Sequence, residues 1–143
     1  MNTISKIKTV IAGAVVVAAA AISQPAAAGS PTGIWIDHTG RGAVQITNCG
    51  GKLCGRIVWL QNAKHGSVCG RQIIGNAKPT KGAWDGWIFD PDRGRRFSVE
   101  IKMAGANRLR VMGYMGVKSL SETHYWRRAT RKLPPCGTMT AKR

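Results

Sequence analysis

The sequence predicts an all-β fold: a single antiparallel up-and-down eight-stranded β-barrel that follows an N-terminal signal peptide. Three observations carry this reading. Apolar and polar residues alternate with period two from Gly33 onward, and no helical period is sustained. The segments between these stretches are short and bear glycine, the chemistry that joins neighbouring antiparallel strands. The start of the chain has a different composition. Lys6 and Lys8 precede an apolar run over residues 10–22, and Ala26-Ala27-Ala28 closes it, the order of a secretory signal peptide cleaved after Ala28. The run is short of the roughly 20 apolar residues a membrane span needs, so no transmembrane anchor is expected after processing.

The chain therefore divides into a signal peptide (residues 1–28), a barrel domain (29–131) and a basic C-terminal tail (132–143). In order, the strands fall at 33–37, 42–48, 53–60, 71–74, 83–90, 95–103, 108–114 and 121–128. The sixth is the clearest: Phe97, Val99, Ile101 and Met103 share one face, and Ser98, Glu100 and Lys102 the other. In the seventh, Leu109 and Val111 alternate with Arg108 and Arg110. Asp90-Pro91-Asp92-Arg93-Gly94 is a strong turn, with Pro presetting φ at the first corner and Gly tolerating the left-handed exit. Eight such strands make a sandwich or a closed barrel, and closure removes the edge strands that invite aggregation.

Charge and cysteine bound the environment. The 22 Lys and Arg, less Lys6 and Lys8, stand against 6 acids, so the mature chain carries +14. In an exported protein such an excess draws anionic envelope surfaces or an acidic protein partner, and no nucleic acid is expected. The localisation implied is periplasmic or secreted. All 4 cysteines lie in the mature part, an even number in an oxidising compartment, so disulfides are expected. Cys49 and Cys54 flank a Gly-Gly hairpin loop and face each other across it, which leaves Cys69 with Cys136. There is no C-x-x-C pair, and His38, His65 and His124 are scattered singly, so neither a metal site nor any other cofactor is expected.

Catalytic chemistry finds no constellation to rest on. Asp90 and Asp92 serve their turn. Ser121 and His124 point to opposite faces of one strand, and His38 sits in a loop. The expectation is therefore a protein that is not an enzyme. Of the 5 tryptophans, Trp84 and Trp87 should face opposite sides of their strand.

The ordered motifs Gly33-Ile34-Trp35, Cys49-Gly50-Gly51-Lys52-Leu53-Cys54-Gly55-Arg56-Ile57-Val58, Trp84-Asp85-Gly86-Trp87-Ile88-Phe89-Asp90-Pro91-Asp92-Arg93-Gly94, Gly113-Tyr114-Met115-Gly116 and Trp126-Arg127-Arg128 resemble those of exported bacterial proteins known as domain of unknown function 2147. The resemblance runs from Gly33 to Arg128 and implies a lipocalin-like barrel. Its barrel-end motif would be Gly33, Trp35, Trp126 and Arg128, with Trp35 plugging one end and the Arg128 guanidinium over its ring. The longer polar insert usual between the third and fourth strands is missing at residues 61–70, and Cys136 lies outside the pattern. The family implies no established activity.

An eight-stranded barrel is just wide enough to be filled by side chains or to hold one small ligand. The expected function is binding of a small apolar or amphipathic ligand, against a wall of Phe97, Val99, Ile101, Leu109 and Val111. Outside, Lys102, Arg108 and Arg110 would form a cationic patch. The alternative is an interaction protein whose cationic surface meets anionic envelope components or an acidic partner.

Overall fold

A computed structural model describes residues 29–62 and 67–136; the segment expected to be a signal peptide and the end of the tail lie outside the described residues. The strands are β1 (Gly33–Ile36), β2 (Gly42–Asn48), β3 (Leu53–Leu60), β4 (Gln72–Thr80), β5 (Ala83–Asp90), β6 (Arg95–Gly105), β7 (Arg108–Tyr114) and β8 (Ser121–Arg128). They pair in sequence order, each antiparallel to the next, and β8 returns to β1 to close the barrel. That closing seam is the shortest ladder, with only Trp35↔Arg128 and Ile36↔Arg127 in register.

Local chemistry explains the connections. At the β5–β6 corner, Asp90 Oδ1 accepts the backbone N–H groups of Asp92 (2.9 Å) and Arg93 (3.1 Å), the side-chain turn an aspartate favours. At the β2–β3 corner the Cys49 N–H donates to the Lys52 carbonyl (2.8 Å), and the Cys49–Cys54 disulfide spans the hairpin with 6.0 Å between Cα atoms. Cys69 joins Cys136 across 5.6 Å. The Cys136 N–H donates to the Val58 carbonyl, so the start of the tail is tied to β3 at the barrel's outer surface.

β6 runs on to Gly105 and β1 stops at Ile36, small differences from expectation, but β4 departs further. β4 was expected to end at Ile74 but runs to Thr80. Asn76 takes a left-handed φ of 52°, and the pairing with β5 shifts between Gly75 and Lys78. This bulge absorbs the irregular residues and carries the strand on to Pro79, which sits opposite Trp84. Gly75 is required beside it, because a Cβ there would lie 2.3 Å from the Trp87 ring. Trp87 packs outside with the Arg96 guanidinium 4.1 Å from its ring centre, whereas Trp84 packs against the interior core. The two tryptophans do face opposite sides.

The interior is filled at one end only. Trp35, Ile46, Leu53, Ile74, Ala77, Val99, Ile101, Leu109 and Trp126 form a packed layer with almost no exposure. Above it, toward the β5–β6 and β7–β8 turns, the barrel is open.

Candidate functional site

The closed end is built by Gly33, Trp35 and Arg128. Trp35 is fully buried, and its indole N–H donates to the Pro31 carbonyl at 2.7 Å. The Arg128 guanidinium lies 4.3 Å from the centre of the Trp35 ring. It donates to the carbonyls of Ala106 (3.1 Å), Thr32 (2.9 Å) and Ser30 (2.7 Å), stitching the segment before β1 to the β6–β7 turn. Gly33 makes this possible. Its φ is 131°, and a Cβ there would stand 2.6 Å from Arg128 Nη1. The cation–π contact contributes about 0.5–2 kcal/mol, and the three charge-assisted bonds leave the guanidinium fully committed to structure.

At the other end lies a cavity of about 1420 Å³ that opens to solvent. Its lower wall is apolar, from Val44, Ile57, Ile73, Ile88, Phe97 and Val111. Trp126 lies at its base, also in the packed layer. Its rim is polar. Of the five residues expected to form an apolar wall, Phe97 and Val111 line the cavity. Val99, Ile101 and Leu109 belong instead to the packed core with Trp35 and Trp126, a core that Val111, opposite Ile101, also joins. Gly113 lines the cavity from β7, and a Cβ added there meets nothing within 4 Å. The missing side chain is part of the open volume.

The rim holds groups that sequence reasoning set aside. His38, in the β1–β2 loop, stacks on His124 of β8 with ring centres 3.7 Å apart and planes 14° from parallel. His124 Nε2–H donates to Glu122 Oε1 at 2.8 Å. Arg93, from the β5–β6 turn, donates to Glu122 Oε2 at 3.1 and 3.2 Å and approaches Asp90 at 3.6 Å. Hydrogen bonds from Arg93 first, and from His124 second, hold the Glu122 carboxyl below its ordinary value. Burial, and then the neighbouring His124, holds the His38 imidazole below its own. Asp37 is used by its turn, accepting the Thr39 N–H and hydroxyl. Arg41 also lines the cavity and carries no ion pair among the described residues. The signal for His124 was present: Glu122, His124, Trp126 and Arg128 alternate along β8, so the face assigned to Trp126 and Arg128 includes the other two.

The outer patch is narrower than its sequence suggests. Lys102 and Arg108 are exposed, and Arg108 lies 3.9 Å from the centre of the Tyr125 ring. Arg110 is instead paired with Glu100, which also accepts a bond from Lys118. Among the described residues, no group of three or more His, Cys, Asp or Glu is placed to hold a metal ion. No helix there is long and apolar enough to cross a membrane.

A closed eight-stranded antiparallel barrel, plugged at one end by tryptophan under arginine and open at the other, is lipocalin-like in class. Its structure is similar to that of protein HP1028 from the human pathogen Helicobacter pylori, described as belonging to the lipocalin family. The TM-score is 0.58, over 71% of this chain and 84% of that one, at 13% sequence identity, a likeness of fold. Residues 33–128 match the family described as an uncharacterized protein conserved in bacteria, DUF2147, and the chain belongs to that family. No curated protein matches it.

Proposed function

We propose that this is an exported binding protein whose barrel takes up one small amphipathic ligand, with the apolar part in the cavity and the head group at the rim. The observation that carries the reading is the cavity itself, apolar below, polar above and open to solvent. Arg41 is the rim cation left uncommitted, which favours an anionic head group such as a carboxylate; Arg93 already serves Glu122 and Asp90. The two disulfides support export, since such bonds persist in oxidising compartments.

Titration of the mature protein with a fluorescent fatty acid, in low and in moderate salt, tests this. Saturable binding that survives moderate salt is expected, because the apolar contribution is not screened. The partner experiment uses Gly113→Phe, which puts a large side chain into the cavity from a position with room at Cβ. Loss of binding in that variant locates the ligand inside. Equal binding by both proteins, or binding abolished by moderate salt in the wild type, would place the contact on the cationic exterior instead.

A further inference from the structure

The loop between β7 and β8 holds apolar side chains in water at the open end of the barrel. Met115 is 58% exposed, Val117 56% and Leu120 75%. Met115 and Leu120 also line the cavity rim. The short 3-10 turn at Lys118–Leu120 buries none of its residues, so the segment is not folded back onto the core. It is held in place all the same: Lys118 Nζ donates to Glu100 Oε2 at 2.5 Å and to Asp85 Oδ1 at 3.3 Å, pinning the loop to the outer wall. Beside it, Arg95 Nη1 reaches Met115 Sδ at 4.0 Å, and Arg95 has no ion pair among the described residues.

We propose that the β7–β8 loop docks the open end of the barrel on an anionic phospholipid bilayer, with Met115, Val117 and Leu120 entering the interfacial region and Arg95 meeting the head groups. An apolar tip beside a cation suits the headgroup–acyl boundary, where the one is buried and the other paired. The mature excess of 20 cations over 6 acids draws the molecule toward such a surface and pushes it away from a second copy of itself. Of the four acids on the rim, Asp90 and Glu122 are engaged by Arg93 and Asp37 by its own turn, which leaves Asp92 as the rim acid whose carboxyl has no charged or turn partner among the described residues. Docked this way, the cavity mouth faces the lipid, and an amphipathic molecule passes between bilayer and barrel without crossing water. The docking rests on the loop, Arg95 and the charge excess; only the exchange of a ligand rests on the cavity reading.

Sedimentation of the mature protein with vesicles tests the docking. One set contains phosphatidylglycerol and phosphatidylethanolamine, the other phosphatidylcholine alone. The wild type should bind the anionic set and release the neutral one. The double variant V117D/L120D should bind the anionic set about ten-fold more weakly or less, since it loses the buried apolar area. Its thermal midpoint should not move, because both positions are exposed. R95E should weaken anionic binding alone. Gly113→Phe should bind vesicles like the wild type, so a failed ligand titration and a failed docking give different results. Equal binding by wild type and V117D/L120D would overturn the proposal, as would no vesicle binding, or self-association of the wild type that V117D/L120D abolishes.

Discussion

Trp35 has no exposed surface and donates its one N–H to a backbone carbonyl, so truncating it removes packing and leaves that carbonyl without its donor. Trp35→Ala should cost about 3–5 kcal/mol, read from the urea midpoint with circular dichroism as the fold check. Gly33→Ala offers a subtler test of the same end. It forces a left-handed φ on a residue with a Cβ and drives that atom into the Arg128 guanidinium, so a loss of about 1–3 kcal/mol is expected. A neutral result would mean that the arginine is free to move aside. The rim histidines make a prediction about pH. His38 has its folded value held below 6.5 by burial and by His124, so folding favours its neutral form. Its contribution is present above 6.5 and is lost as pH falls below that value, while the unfolded chain takes up the proton more readily. Glu122 acts in the same direction in a lower window, beginning below about 4.5. Chemical denaturation between pH 8 and 5 should therefore show stability falling on acidification, with a shallower slope in His38→Asn. The tryptophan and arginine of the closed end were expected through the family resemblance, whereas the reason for Gly33, a Cβ that would meet Arg128, is visible only in the structure. The histidine stack was not legible either, since it joins a loop to a strand far away in the chain.

The two disulfides close loops of very different length, with separations of 5 and 67 residues. On the chain-entropy model the short one is worth about 2 kcal/mol and the long one about 4 kcal/mol. Replacing Cys69 and Cys136 by Ser should therefore destabilise the barrel more than replacing Cys49 and Cys54, as measured by thermal unfolding; the reverse order would show that the native fold holds the tail in place without its bond. Strand positions were largely readable, and the reason is the steady alternation of β6 and β7. β4 was the exception. Gly75-Asn76 and Pro79 look like punctuation, yet the bulge at Asn76 lets the strand continue past them. Gly75 is there because Trp87 lies over it, a contact between strands that no local pattern announces.

For the whole molecule, strand number and short turns left a sandwich or a barrel, and the removal of edge strands favoured the closed barrel that is seen. The division of its interior was not legible. Alternation says which side chains point inward; it does not say at what height the interior stops being filled. That height is set by Trp35 and Trp126, whose bulk packs the layer shared with Val99, Ile101 and Leu109. Phe97, nearest the mouth on β6, walls the open space, and Val111, level with Ile101 and itself part of the core, borders it. The charge excess likewise becomes specific only in three dimensions, where Glu100 takes up Arg110 and Lys118, while Lys102, Arg95 and Arg41 keep no acid among the described residues. The central claim is that the space above the packed layer receives a ligand. Native mass spectrometry of the mature protein with a long-chain fatty acid, run beside Gly113→Phe, measures it most directly. The wild type should carry one fatty acid per chain and the variant none. An unloaded wild type, or the same adduct on both proteins, would contradict the claim.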